Sequence, residues 1–266
     1  MTAPERGAGQ PPRTVVVVGG VDPGGGAGLL RDVRTARALG VQAHAIGTAW
    51  TEQADGVHRV EPREPGAVGQ AVARAVADLD PIAVKIGMAV GPATAAALLT
   101  ALTGFAGPVV VDPVLATSRG GLLWEGEPAG LLPLLRRASL VTPNAPEAAA
   151  LAGRPVADLQ QADAAGRVLI DGLGLRAVLV KGGHLGTGED PVSDLLVTAE
   201  TSRAFRHARA AGVSPRGTGC ALATALAVAL GCGEPLEAAV QTATTWLAGA
   251  IAGAVPAPGG ERHLGS

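Results

Sequence analysis

The sequence predicts an α/β fold in which a mostly parallel central sheet is covered by helices on both faces. The first observation is a series of short, continuously apolar runs, such as residues 15–18 and 177–180, which are typical of strands buried on both sides. The second is that these runs alternate with segments of helical period, such as residues 68–79, where Val or Leu recurs at spacings of four, four and three. The third is that 266 residues contain no repeat, linker or composition break, which favours one domain over two.

The predicted elements end in Gly, Asp or Pro, which mark turns. We place a helix at residues 31–39 after a Gly-rich turn, and additional strands at 193–197 and 201–209 that pair antiparallel or at an edge. The stretch 217–230 is apolar on almost every side, which predicts a buried helix. The pattern of residues 235–252 predicts an amphipathic helix. The predicted sheet strands are 15–18, 41–50, 82–86, 109–111, 140–141 and 177–180, inside a domain of residues 14–254 with tails at 1–13 and 255–266.

Charge and aromatic content argue against nucleic-acid binding. The net charge is −2, the pI is about 6.2 and aromatic residues make up 2% of the chain, so the sequence offers neither a basic surface nor stacking platforms. No run of 18 uninterrupted apolar residues is present, and the first fourteen residues lack the apolar core of a signal peptide. Two cysteines make neither a cysteine-only zinc site nor a disulfide framework. We therefore expect a cytoplasmic protein with no membrane partner.

Lysine is rare in this chain, because 19 of its 21 basic residues are arginine. The two lysines are Lys85 and Lys181, and each follows a valine in or after a predicted strand. A phosphate-binding P-loop needs glycine before its lysine, so Val84 and Val180 exclude that motif. The scarcity of lysine elsewhere makes both positions functional candidates.

In a sheet of this kind ligands bind beyond the carboxyl ends of the strands, so the turns that follow strands are the places to look for chemistry. The Gly-rich turn 19–28 does not fit the dinucleotide motif G-x-G-x-x-G, but it lets a ligand approach the backbone closely. Asp22 within it either accepts a hydrogen bond from a ligand hydroxyl or simply initiates the turn. Asp112, which follows the strand at 109–111, either holds a metal-bound water or forms an ordinary Asp-Pro turn.

Two later turns carry polar groups suited to phosphate and magnesium. Asn144 and Glu147 form the pattern of a helix capping box, and the same spacing would let Glu147 bind Mg²⁺ through water. Lys181 leaves a buried strand into Gly182-Gly183, which places an ammonium beside free backbone N–H groups. This arrangement suits phosphate better than core packing, although a lysine can also snorkel from a sheet end.

The strongest local signal is the segment 214–220, Ser-Pro-Arg-Gly-Thr-Gly-Cys, which leads into the apolar helix. It combines the free N–H groups of a helix N-terminus with glycines that let an anion approach. Cys220 lies in the first helical turn, where the helix dipole would favour a thiolate, but a buried inert cysteine is the alternative. Cys232 has no comparable surroundings and receives no role.

Together these residues resemble the hydroxymethylpyrimidine/phosphomethylpyrimidine kinases of thiamine biosynthesis, which have the ribokinase-like fold. The resemblance covers residues 15–247 approximately and implies a three-layer α/β/α domain, ATP and Mg²⁺ as cofactors, and a homodimer. It rests on six motifs in order: VDPGGGAGLLRDVRTARALG at 21–40, VKIGM at 84–88, VVVDPVL at 109–115, VTPNAPEAAAL at 141–151, VLVKGGHL at 178–185 and GTGCALATALA at 217–227.

The resemblance also implies roles for individual residues. Asp22 and Gln53 match the pyrimidine-binding positions, and Met88 and Gly20 would line the same acceptor pocket. Cys220 stands where many sugar kinases of this fold have an aspartate base, and would act as the base or as a positioning group. The implied phosphate machinery is Lys181, Asn144 and Thr218 for ATP, Glu147 and Asp112 for the metal, and Gly217, Thr218 and Gly219 for the anion hole.

The chain departs from the family pattern at several places. Arg216 stands where a histidine usually precedes GTGC, and residues 54–55, 118–121 and the C-terminal signature also differ. Two other functions therefore stay open, a pyridoxal kinase and a pyrimidine-binding regulator without catalysis. Gln53 favours the pyrimidine over pyridoxal, and the presence of the phosphate motifs favours an active enzyme.

Overall fold

A nine-stranded sheet forms the centre of the computed structural model, which describes residues 12–53, 57–117, 121–185, 191–207, 215–257 and 262–265. The strands are β1 Thr14–Val21, β2 Gln42–Gln53, β3 Val57–Pro62, β4 Ala83–Ile86, β5 Val109–Val111, β6 Leu140–Val141, β7 Ala177–Val180, β8 Val192–Thr198 and β9 Ser202–His207. Their order is β3-β2-β1-β4-β5-β6-β7-β8-β9. The six central strands are parallel to one another, in the order β2, β1, β4, β5, β6, β7. At the two edges the pairing is antiparallel: β3 pairs with β2, β8 with β7, and β9 with β8. The predicted α/β class is confirmed.

Helices cover both faces of the sheet. They are α1 Gly28–Ala38, α2 Pro65–Leu79, α3 Pro92–Ala101, α4 Leu132–Arg137, α5 Ala145–Ala152, α6 Leu159–Arg167, α7 Thr218–Gly231 and α8 Leu236–Ala252. Helices α1, α7 and α8 pack in one core, and α2 to α6 pack in the other. Strand β1 shows why its sequence is continuously apolar, because Val15 and Val17 belong to the first core while Val16 and Val18 belong to the second.

Helix α7 explains the apolar stretch that has no polar face. It contacts α1 on one side, α8 on the other and the sheet beneath, so residues 221–229 are all buried. Within the described residues, no helix combines the length and the hydropathy that crossing a membrane requires.

The edges of the sheet show what the sequence pattern reveals and what it misses. Strands β8 and β9 confirm the two additional antiparallel strands near residues 193–197 and 201–209. Strand β3 was not predicted, because an edge strand that is largely exposed lacks an apolar run. Helix α3 was also not predicted, since its alanines and leucines are not confined to one face.

The tails expected at residues 1–13 and 255–266 are described only in part. Residues 1–11 lie outside the described part, as do the departures from the family pattern at 54–55 and 118–120. At the other end, strand β10, Val255–Pro256, pairs antiparallel with strand β11, Arg262–His263. The buried side chain of Leu264 then anchors this ribbon to the α1 and α7 side of the molecule.

Candidate active site

The candidate site lies at the carboxyl edge of the parallel strands, where the sequence placed it. The turns after β1, β5, β6 and β7 bring in Asp22, Asp112, Asn144 and Lys181. The Lys181 N–H donates to the carbonyl of Pro143 at 2.8 Å, and a backbone bridge joins Asn144 and Lys181. The N-terminus of α7 reaches the same edge. The predicted phosphate residues are therefore brought together.

Lys181 is held by the carboxylate of Asp112. The Lys181 Nζ lies 2.6 Å from Asp112 Oδ1, and the Thr142 hydroxyl donates to the same oxygen at 3.1 Å. Burial alone would lower the pKa of Lys181, but the carboxylates of Asp112 and Glu147 outweigh it and the pKa is raised. The ammonium is thus charged and fixed in position before any phosphate arrives.

Glu147 caps a helix and also lies at the candidate site, so the two interpretations of the sequence are compatible. Its N–H donates to Asn144 Oδ1 at 2.9 Å, and its Oε2 accepts from the Asn144 N–H at 2.7 Å, which completes a capping box on α5. The same Oε2 lies 4.0 Å from Lys181 Nζ. Burial, with the nearby Asp112 charge, raises the pKa of Glu147 to about 7 despite Lys181 and two backbone N–H donors.

The N-terminus of α7 has the geometry of an anion site. Gly217 is the N-cap residue, with φ of 77°, and a Cβ there would overlap the carbonyl oxygen of Gly26. Gly217 has no side chain that could cap the helix, and Thr218 is the first helical residue, so the first N–H groups of α7 lie at the carboxyl edge without a partner inside the helix. A Cβ on Gly219 would lie 3.2 Å from Lys181 Nζ. Glycine at this position therefore lets the lysine and the helix N-terminus converge.

Cys220 lies at this N-terminus, but its environment does not favour a thiolate. Burial is the largest effect on its pKa, and together with the charges of Asp32 and Asp112 it raises the value to about 11. Lys85 and the Gly28 N–H act in the opposite direction and are outweighed. The thiol is protonated at neutral pH, so the structure favours a positioning group over a general base.

Asp22 organises the Gly-rich turn. Its Oδ1 accepts from the Gly24 N–H at 3.0 Å, its Oδ2 accepts from the Ala27 N–H at 3.1 Å, and its side chain is buried. The Arg216 guanidinium lies 3.4 Å from Oδ2. These contacts show that Asp22 holds the Gly-rich turn together, as the turn interpretation predicts. They also place Arg216 beside this turn.

The predicted acceptor pocket has an apolar wall next to this loop. Met88 packs with Ala49, Val90 and Leu123 in a small buried cluster beyond β4. A Cβ on Gly20 would lie 2.7 Å from the Met88 sulfur, so the two predicted pocket residues are in close contact. Gln53 ends β2, and its side chain lies outside the described part of the structure.

Two buried networks of hydrogen bonds and ion pairs support the site and were not predicted from the sequence. Lys85 is fully buried and pairs with Asp32 Oδ2 at 2.8 Å, while the Thr224 hydroxyl donates to Asp32 Oδ1 at 2.8 Å. Asp194 Oδ1 accepts from the Gly182 N–H at 2.7 Å, and its Oδ2 lies 3.2 Å from His207 Nε2. The rarity of lysine pointed to Lys85, but only the fold brings the partners of either network together.

The fold and the site define a small-molecule phosphotransferase of the ribokinase-like class. The chain belongs to the phosphomethylpyrimidine kinase family, whose model matches residues 22–264. It is 40% identical over 240 residues to a hydroxymethylpyrimidine/phosphomethylpyrimidine kinase of Rhizobium meliloti, covering 89% of this chain and 90% of the relative. A kinase of the same description from Streptomyces coelicolor is 36% identical over 272 residues, covering 98% and 96% of the two chains.

Solved structures agree on the fold. A phosphomethylpyrimidine kinase from Clostridium difficile has a TM-score of 0.76 and 28% identity, covering 88% of this chain and 97% of its own. A pyridoxal kinase from Bacillus subtilis superposes with a higher TM-score of 0.85 but only 21% identity, covering 96% and 97% of the two chains. Fold similarity therefore does not separate the two substrate classes, whereas sequence identity favours the pyrimidine kinases.

Proposed function

We propose that this protein transfers the γ-phosphoryl group of ATP to the hydroxymethyl group of 4-amino-5-hydroxymethyl-2-methylpyrimidine, and then to the resulting monophosphate. The observation that carries the proposal is the convergence of Lys181 Nζ on Gly219 at the uncapped N-terminus of α7. A cation and free N–H groups aimed at one point suit a transferring phosphoryl group, which needs positioning and charge stabilisation more than covalent chemistry. The family to which the chain belongs indicates the kind of molecule that accepts the phosphoryl group, a hydroxymethylpyrimidine or its monophosphate.

In this proposal Lys181 moves from a carboxylate partner to a phosphate partner. Asp112 and Glu147 hold the ammonium within 4.0 Å in the ligand-free protein, so it is already placed when ATP binds. Asn144 and Thr218 flank the same edge and are proposed to contact the nucleotide. Gly217 and Gly219 leave the helix N–H groups open to the phosphoryl group, and Cys220 positions the acceptor hydroxyl next to them.

Magnesium fits this site only as an ion that keeps most of its water. Among the described residues, no cluster of three His, Cys, Asp or Glu side chains is arranged to hold a metal. Asp112 and Glu147 offer two carboxylates on either side of Lys181, which matches the preference of Mg²⁺ for one or two carboxylates plus phosphate oxygens. When bound, Mg²⁺ would neutralise charge on the β- and γ-phosphates.

The acceptor is proposed to lie between the Asp22 loop and the Met88 cluster. Gly20 and Met88, which lie buried side by side, would form the apolar wall for a ring, while the loop backbone and Gln53 would supply polar contacts. A homodimer and a cytoplasmic location complete the proposal. The family resemblance supports the dimer, and Trp50, which is 52% exposed, offers apolar surface that a partner copy could cover. Light scattering of the purified protein tests the oligomeric state.

The decisive experiment measures ADP release with three acceptors: the hydroxymethylpyrimidine, its monophosphate and pyridoxal. We expect turnover with both pyrimidines and a much lower kcat/KM with pyridoxal. Lys181→Met should reduce kcat by about a hundredfold or more, because it removes the charge aligned with the transferring group. Efficient turnover of pyridoxal alone would instead identify a pyridoxal kinase. Tight pyrimidine binding without ADP release would identify a regulator.

A further inference from the structure

Arg31 is a buried guanidinium with too few partners. It lies in the first turn of α1 and is 3% exposed, yet its Nε and Nη2 have no hydrogen-bond partner among the described residues. Its Nη1 reaches the carbonyl oxygen of Leu264 at 3.5 Å, the outer limit of a hydrogen bond. The hydroxyl of Thr35, one turn later on the same helix, is also buried and finds no partner in the described part of the chain. Leaving such groups unpaired is costly, which points to a ligand that supplies acceptors.

The Arg31 side chain passes the N-terminus of α7, which lies at the active-site edge. Side chains on a helix lean toward its N-terminus, and the N-terminus of α1 follows β1 at the carboxyl edge of the sheet. The Arg31 Cγ lies 3.1 Å from the point where a Cβ on Gly217 would stand. A Cβ on Gly26 would likewise lie 3.2 Å from the Arg216 Cβ and 3.3 Å from His263 Nε2. We call these five residues, Arg31, Gly26, Arg216, Gly217 and His263, the Arg31 junction.

The surroundings of the Arg31 junction are electropositive. Helices α1 and α7 both begin there, and their N-cap residues, Ala27 and Gly217, have no side chain that can cap, so both N-termini present partial positive charge. The neighbouring carboxylates are already engaged: Asp22 by two backbone N–H groups and Arg216, and Asp32 by Lys85 and Thr224. Burial, followed by the charge of Arg34, lowers the pKa of Arg31, which an incoming anion would reverse.

We propose that the Arg31 junction binds the phosphate that the monophosphate acceptor carries, which makes Arg31 a specificity-determining residue for the second phosphoryl transfer. The inference rests on the proposed function and deepens it. In that step an oxygen of the acceptor phosphate attacks the γ-phosphorus, a P–O bond forms, the bond to the bridging oxygen breaks, and ADP leaves with the electron pair. A phosphate with a second pKa of about 6 is already deprotonated at neutral pH, so a cation near it matters more than a base. In the first step the acceptor brings no phosphate, so Arg31 has nothing to bind.

The test compares kcat and KM for the two acceptors in Arg31→Met. We expect KM for the monophosphate to rise about 10- to 100-fold, as for the loss of a charged hydrogen bond, while KM for the alcohol changes less than about threefold. The control is Arg37→Met, which removes an exposed arginine in the last turn of α1 and should change neither value. An equal change for both acceptors, or none for the monophosphate, overturns the proposal.

A second measurement does not depend on turnover. Thermal unfolding is followed with and without inorganic phosphate in the Lys181→Met background, which weakens the nucleotide phosphate site. Phosphate should raise the Tm of Lys181→Met, and it should not raise the Tm of Lys181→Met/Arg31→Met. Without any ligand, Arg31→Met alone should have a higher Tm than wild type, because an unpaired buried cation is removed. A buried water in place of an anion would give the higher Tm without phosphate dependence, and a purely structural role would lower Tm. Either result overturns the proposal.

The two measurements separate the inference from the proposed function. If the alcohol is phosphorylated but phosphate protection is independent of Arg31, the function stands and the subsite does not. If the wild-type protein releases no ADP with either pyrimidine, the function falls, while Arg31-dependent protection by phosphate still supports an anion subsite.

Discussion

Replacing Lys85 with methionine should destabilise the protein strongly, because it breaks a fully buried ion pair. Lys85 pairs with Asp32 at 2.8 Å, and the two side chains are 1% and 0% exposed. The variant leaves the Asp32 carboxylate buried with the Thr224 hydroxyl as its one side-chain partner among the described residues. Burial raises the pKa of Asp32, and the opposing attraction of Lys85 is lost in the variant. The remaining charge must either stay unpaired or take up a proton, and both outcomes reduce the free energy of unfolding.

The magnitude follows from the burial of both partners. Breaking a buried ion pair by removing one partner costs about 3–5 kcal/mol, against a total stability of about 5–15 kcal/mol for a typical domain. At about 2–4 °C per kcal/mol for a chain of this size, Tm should fall by about 6–20 °C. Lys85→Met/Asp32→Asn should recover much of this loss, because the amide keeps an acceptor for Thr224 and carries no charge.

Urea and thermal unfolding of the ligand-free protein measure these differences. The matched control is Arg59→Met, because Arg59 and Glu61 are also 2.8 Å apart but 64% and 51% exposed. That change should cost less than about 1 kcal/mol. The reasoning fails if Lys85→Met costs no more than the control, or if the double variant is no more stable than Lys85→Met alone.

Three further predictions concern the site itself. The pKa of Glu147 is raised from 4.5 to about 7, so the protonated carboxyl stabilises the fold below pH 4.5, and this contribution is lost as the pH rises to 7. Glu147→Gln should therefore gain stability relative to wild type between pH 4.5 and 7, as measured by unfolding without metal. Stability curves of the two proteins that stay parallel over this interval would contradict the prediction. Gly182→Ala should lower Tm and kcat because its Cβ would overlap the Ser193 carbonyl, whereas Gly183→Ala, whose Cβ meets nothing within 4 Å, should leave Tm nearly unchanged. Cys220→Ala should reduce turnover of the alcohol by less than a hundredfold, because the raised pKa of the thiol argues against its acting as a general base. Removing a general base costs about 10²–10⁴-fold, so a thousandfold loss would show that the thiol is the base.

The parallel sheet could be predicted because burial on both faces leaves a visible trace. Val15–Val18 and the other central runs are apolar at every position, since successive side chains enter opposite cores. The exposed edge strand β3 leaves no such trace. The C-terminal ribbon was also missed, because it is held by pairing between residues 255–256 and 262–263 and not by a periodic pattern.

The site could be predicted in part for a related reason. Asp112, Asn144 and Lys181 follow strands directly, and parallel topology alone brings the carboxyl ends of those strands to one edge. Arg31 and Asp32 lie inside a helix, where the sequence does not distinguish them from charged residues on an exposed helix face. Their roles depend on the packing of α1 against α7 and on the return of the chain at Leu264, neither of which is encoded locally.

The rarity of lysine acquires a physical meaning in the structure. Both lysines are paired with buried carboxylates, and each ammonium packs against a glycine: a Cβ on Gly87 would lie 2.9 Å from Lys85 Nζ, and one on Gly219 would lie 3.2 Å from Lys181 Nζ. A compact ammonium fits such a space, whereas a planar guanidinium with five N–H donors is larger and needs partners in a fixed plane. Arg31 shows the consequence of burying a guanidinium here, since two of its nitrogens have no partner within the residues that the structure describes. A chain that otherwise uses arginine therefore places lysine at the two positions where a narrow space meets a carboxylate, and retains a buried arginine where we infer that an anion must be bound.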